Sequence, residues 1–128
     1  MTKAIIQAPG APKAIGPYST GVRVADLLFC SGQIAMDPAT GDLIEGDAVA
    51  QTHQIMRNLS AVLEAAGAKF DNVVKTTLFL VDLNDFPRIN EAYGKYFPSG
   101  PPARSTIQVS ALPKGARVEI EAIAHLGA

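Results

Sequence analysis

The sequence predicts an α+β fold with its elements in the order β-β-α-β-α-β-β, on three observations. Two segments each carry one apolar stripe at helical spacing. The other ordered segments are short β-rich runs set off by Gly and Pro. The length, 128 residues and 13.4 kDa, suits one domain over residues 1–128 with a core that needs no disulfide or metal. Two helices with one apolar stripe each cover one face of a single sheet. The other face then needs a partner, and self-association is the simplest way to supply it.

Residues 3–7 form a short extended segment. Residues 8–18, with three prolines and two glycines, form an ordered loop. Gly21–Val24 and residues 27–31 make a hairpin that turns at Ala25 and Asp26. Asp37-Pro38-Ala39-Thr40-Gly41 is a second turn. Residues 47–66 are the clearest helix. Ile55, Met56, Leu59, Val62, Leu63 and Ala66 recur on one side, while Gln51, Gln54, Arg57, Asn58 and Glu64 fall elsewhere. Asp47 suits its N-cap and Gly67 its C′ position. Residues 73–81 are a strand rich in Val, Thr, Leu and Phe. A second helix starts near Asp85 with Pro87 in its first turn and carries the stripe Phe86, Ile89, Tyr93 and Phe97. Residues 103–109 and 117–124 are the last two strands, and the Pro113-Lys114-Gly115 turn between them suggests that they pair.

Composition narrows the function classes. Hydrophobic residues at 48% and charged residues at 18% exclude a disordered chain. Lys+Arg total 11 against 12 Asp+Glu, a net charge of −1, which argues against nucleic acid or an anionic membrane as the main partner. The only cysteine, Cys30, excludes an intramolecular disulfide, and one Cys with 2 His argues against a structural zinc site. No apolar run reaches membrane-spanning length, and residues 1–10 lack a signal-peptide core. The expectation is a soluble, cytoplasmic protein.

The alternation in the last two strands is the most informative chemistry. Arg104, Thr106 and Gln108 share one face of their strand. Glu119 and Glu121 lie opposite the apolar Val118, Ile120, Ala122 and Ala124, about 7 Å apart at strand spacing. If the strands pair, an arginine and two glutamates occupy one polar sheet face. That is either a solvated cross-strand ion pair or a site where Arg104 grips a carboxylate and a glutamate moves protons. Spacing leaves both open. Tyr18 ends the Pro-rich loop, and Ser31-Gly32 ends a buried strand with a glycine that lets another group approach the backbone. Cys30 lies in an apolar strand and suits a buried core position. His53 falls off the helix stripe, and His125 is near the chain end on the Glu119 side. No Gly-rich phosphate loop, Ser/Cys–His pattern or Cys/His ligand cluster is present.

Taken together, Ile15-Gly16-Pro17-Tyr18, Ser31-Gly32-Gln33, Val74-Lys75-Thr76-Thr77, Asp82-Leu83-Asn84-Asp85-Phe86, Asn90, Pro102-Ala103-Arg104-Ser105, Leu112-Pro113 and Val118-Glu119-Ile120-Glu121-Ala122 resemble the RidA (YjgF-type) family of reactive intermediate/imine deaminases. The resemblance spans nearly the whole chain. It implies a chorismate-mutase-like fold with a mixed sheet and two helices on one face, assembled as a homotrimeric barrel with sites between subunits. It also implies hydrolysis of enamines and imines such as 2-aminoacrylate and 2-iminopropionate to a 2-keto acid and ammonia, for metabolite damage control and without cofactor or metal. By the same resemblance, Arg104 binds the substrate carboxylate and Glu119 positions or activates water. Tyr18, Ser31 and Gly32 line the pocket, and Asn90 enters from the neighbouring subunit's side. Many relatives carry Cys where this chain has Thr106, so a thiol role is absent, while the Thr106 N–H remains able to contact the substrate. Arg104 close to Glu119 is expected to depress the glutamate's pKa in the empty site. A non-catalytic trimer that binds small carboxylates, an endoribonuclease or translation inhibitor, and a chaperone-like role are the other readings.

Overall fold

Local chemistry sets most element boundaries where the sequence places them. In the computed structural model, which describes residues 2–127, the strands are β1 (Ala4–Ile6), β2 (Gly21–Val24), β3 (Leu27–Gln33), β4 (Val73–Leu80), β5 (Ala103–Gln108) and β6 (Val118–His125). The helices are α1 (Ala48–Ala65) and α2 (Phe86–Gly94). Asp47 caps α1 by accepting the Ala50 N–H at 2.9 Å through Oδ1. Gly67, at φ 77°, closes its far end in a conformation that a Cβ disfavours. Pro87 sits in the first turn of α2, where its missing N–H leaves no intrahelical bond unmade.

The six strands form one sheet in the order β1-β2-β3-β6-β4-β5, antiparallel except for the parallel β4–β5 pair. Both helices pack on one face. Leu28, Ile55, Leu78, Ile89 and Ile120 are each 0% exposed between the helices and the sheet, and such burial contributes about 1.5–3 kcal/mol per side chain. The opposite face is uncovered in the single chain. It presents Ile5, Leu27, Phe29 and Ile107 as exposed apolar side chains beside polar ones.

Three expectations need correction. β5 and β6 do not pair; β6 inserts between β3 and β4, and β5 runs parallel to β4 at the sheet edge. The chain reaches that edge through α2, a crossover of the kind that parallel strands require. In this register Arg104 lies beside Thr76, which is buried under Tyr93, so it faces α2. Glu119 and Glu121 lie beside Phe79 and Thr77 on the other face. The shared polar face of Arg104 and the two glutamates therefore does not exist within one chain. Lastly, Gln51 and Asn58, read as off the apolar stripe of α1, are only 3% and 1% exposed.

Candidate active site

Gly32 and Glu119 lie together at the centre of a cleft. Between the Cys30–Ala122 and Gln33–Ile120 rungs, Ser31 and Gly32 on β3 oppose Glu121 alone on β6, a β-bulge. Strand alternation sends Glu119 out on the uncovered face, and its carboxylate lies against Gly32. A Cβ on Gly32 would collide with Glu119 Oε2 and stand 2.9 Å from Cδ. This is the close approach that the glycine permits, and the approaching group is the glutamate itself.

The cleft has a volume of about 370 Å³. Its lining includes Lys13 and Tyr18 from the Pro-rich loop, Ser31, Ile34 and Met36, and both glutamates. Ser31 Oγ donates to the Ser19 carbonyl at 2.6 Å, so its proton is committed and its oxygen is left to accept. Tyr18 is 45% exposed, with Oη accepting the Ile15 N–H at 3.4 Å. Partial burial, and after it the charge of Glu121, raise the pKa of Glu119 above the usual carboxylate range. The expected depression by Arg104 is reversed because the arginine stands on the other side of the sheet.

Arg104 and Asn90 form a second, separate cluster at the β5 edge. Phe86, Asn90 and Tyr93 fall on one side of α2 and meet the edge of β5. The Arg104 guanidinium lies 5.2 Å from the centroids of both the Phe86 and Tyr93 rings. Its Nη1 donates to Asn90 Oδ1 at 2.7 Å. Tyr93 is in turn fixed by a 2.7 Å hydrogen bond with Thr76. No carboxylate pairs with Arg104 among the described residues. A depression of about 410 Å³ opens beside it, lined by Asn90, Tyr93, Phe97 and Pro102. Thr106, two residues along the same side of β5, has a buried hydroxyl with no hydrogen-bond partner among the described residues.

The predicted residues thus fall into two groups, Tyr18, Ser31, Gly32 and Glu119 on the cleft and Asn90, Arg104 and Thr106 at the β5 edge. Sequence reasoning missed Lys13, Ile34 and Met36 as cleft residues. Lys13 shares the loop of Tyr18, the one signal that could have found it. Cys30 is buried, and burial pushes its thiol up to about 12. His53 is half-buried, its Nδ1 2.7 Å from Tyr96 Oη. Among the described residues no group of three or more His, Cys, Asp or Glu is placed to hold a metal ion. No helix is long and apolar enough to cross a membrane among them either.

Fold and site together define a small α+β protein with a glutamate-bearing cleft on one sheet face and an aromatic-braced arginine at the sheet edge. Comparison with known proteins makes the class specific. The family described as Endoribonuclease L-PSP matches residues 8–126. Protein DfrA of Myxococcus xanthus is 56% identical over 126 residues, covering 97% of this chain and 96% of that protein. The human 2-iminobutanoate/2-iminopropanoate deaminase is 49% identical over 127 residues, covering 99% and 93%. The crystal structure of Escherichia coli TdcF with bound serine superposes with a TM-score of 0.92 at 42% identity, covering 97% and 99%. The chain belongs to the RidA (YjgF-type) family.

Proposed function

We propose that the chain is a hydrolytic deaminase of reactive enamines and 2-imino acids, with 2-aminoacrylate and 2-iminopropionate as type substrates. It acts in the cytoplasm as a homotrimer, and needs no cofactor. The observation that carries this reading is the complementarity of the two half-sites. Arg104 is an oriented cation free to take a carboxylate, and Glu119 is a carboxylate held in a cleft with its pKa raised. On opposite faces of one sheet they cannot meet within a chain. In the proposed trimer, the β5 edge of one copy closes the cleft of the next. The exposed Ile5, Leu27, Phe29 and Ile107 support such an assembly, since it gives that face the cover a single chain lacks.

In the completed site Arg104 binds the substrate carboxylate through two N–H bonds, its orientation set by Asn90, Phe86 and Tyr93. Glu119, as the carboxylate, takes a proton from water while the oxygen attacks the carbon of the protonated imine. The resulting carbinolamine receives that proton on nitrogen; the C–N bond then breaks as Glu119 takes the hydroxyl proton, and 2-keto acid and ammonia leave. A base with a raised pKa is better matched to neutral pH than an ordinary glutamate, and general acid–base catalysis of this kind contributes on the order of 10²–10⁴-fold. Deaminase relatives at about half identity support the reaction class. TdcF with bound serine supports a small amino-acid-like ligand bearing a carboxylate. Two cleft glutamates and a net charge of −1 disfavour RNA as the substrate.

The test is hydrolysis of freshly generated 2-iminopropionate by the wild type, Arg104→Ala and Glu119→Gln. Acceleration by the wild type alone is expected. No acceleration with this or larger imino acids, with small carboxylates still bound, overturns the enzyme reading in favour of a binding protein.

A further inference from the structure

The cleft opens where β3 leaves β6. Their last rung pairs Gln33 with Ile120; beyond it residues 34–36 diverge, while β6 extends back to Val118. Backbone groups at this divergence lose the sheet ladder and need other partners. Two buried amides of α1 supply them. Asn58 donates from Nδ2 to the Met36 carbonyl at 2.9 Å and to the Ile34 carbonyl at 3.4 Å. Gln51 accepts the Arg117 N–H at 2.9 Å through Oε1.

One anchored segment lines the cleft and the other leads into the strand that does. Ile34 and Met36 line it directly. Arg117 immediately precedes β6, two residues before Glu119. Gln51 and Asn58 stand about two helical turns apart on one side of α1, so a rigid helix spans the two anchored segments. Ile34, Met36 and Ala116 form a small apolar cluster between those segments. The Arg117 carbonyl accepts the N–H of Val81, the residue after β4, at 3.2 Å.

We propose that Gln51 and Asn58 are positioning residues, through which α1 fixes the gap between the Ile34–Met36 wall and the strand that carries Glu119. This rests on the deaminase reading of the cleft. A proton-transferring carboxylate works only within roughly 0.5 Å of its productive place. The two amides hold the strand segments that set that place, without touching substrate.

The experiment compares wild type, Gln51→Met and Gln51→Glu in imine hydrolysis well below their unfolding temperatures. Gln51→Met keeps length and loses the acceptor; kcat is expected to fall about 10- to 100-fold, with KM changed less than about twofold. Gln51→Glu keeps an oxygen at the same reach and is expected to retain most of kcat. A lowered Tm in Gln51→Met with wild-type kcat overturns the proposal, since that is what a merely structural amide gives. If Gln51→Met does not fold, Gln51→Asn, which withdraws the oxygen by one methylene, replaces it; failure of both to fold also rejects positioning. A readout independent of turnover is the carboxyl-carbon NMR titration of Glu119, which shares the cleft lining with Glu121, Lys13 and Tyr18 and feels the charge of Glu121. Its midpoint is expected to move in Gln51→Met. If the wild type hydrolyses no imine, the deaminase reading fails, and this titration still decides the positioning claim: an unmoved midpoint rejects it.

Discussion

Gly32→Ala separates function from stability at a single atom. The added Cβ meets Glu119 Cδ at 2.9 Å and Cγ at 3.1 Å. Carbon atoms pack at about 3.5–4.0 Å, so Cδ must retreat by roughly 0.6–1.1 Å. Gly32 is not among the glycines at positive φ, so alanine fits its backbone. The colliding group is the end of a flexible, half-exposed side chain, which can swing away. Loss of unfolded-state freedom on replacing glycine by alanine adds about 0.4–1 kcal/mol of stability, so the net change in Tm is expected to be small. Activity is another matter. A misplacement near 1 Å in a reacting group is expected to reduce kcat about 10- to 100-fold, or about 1.4–2.7 kcal/mol of barrier. The assay is the hydrolysis rate of 2-iminopropionate at saturation, alongside thermal unfolding of the same preparations. Wild-type kcat in a folded Gly32→Ala variant would refute the claim that this glycine seats the reacting carboxylate.

Other perturbations test neighbouring parts of the account. Glu121→Gln removes the second cause of the raised Glu119 pKa, so the pKa falls toward the ordinary range. Because the proposed mechanism uses the carboxylate form, the acid limb of kcat/KM should move to lower pH; a limb that stays or moves up contradicts the pairing. Asn90→Ala frees Arg104 from its 2.7 Å partner, and an increase of about 3- to 10-fold in KM is expected from the loss of one orienting hydrogen bond of about 0.7–1.4 kcal/mol. An unchanged KM would show that the two aromatic rings suffice to orient the guanidinium. Cys30, buried with its thiol pushed up to about 12, should resist alkylation at pH 8 until the chain unfolds. Equal labelling rates in the folded and unfolded protein would contradict its burial.

The elements were legible in the sequence because their signals are local. The Asp47 cap, the stripe of α1, Pro87 at the start of α2 and the alternation along β6 each depend on a few neighbouring residues, and the structure has them all. Strand adjacency was not legible. Alternation tells which residues share a face within one strand, but not which strand lies beside it. The Pro113-Lys114-Gly115 turn invited a β5–β6 hairpin that β4 in fact separates. With that pairing went the face of Arg104. Its side is set by the parallel β4–β5 register, which turns it toward the Phe86 and Tyr93 rings of α2. Gln51 and Asn58 were misread for a related reason. A polar residue beside an apolar stripe looks solvated until the backbone groups it satisfies are seen. The Ser31-Gly32 signal was read correctly as a place of close approach, although only the fold could show that Glu119 approaches it.

On the proposed reading, Arg104 and Glu119 act on one substrate from different copies of the chain. Arg104→Ala and Glu119→Gln proteins, each inactive alone, are to be mixed in equal amounts, unfolded and refolded together, and assayed for imine hydrolysis. Random assembly of the proposed cyclic trimer would complete about one quarter of the sites, so about that share of wild-type activity is expected. A refolded mixture no more active than its two parents, in a trimer shown to contain both chains, would contradict the shared site.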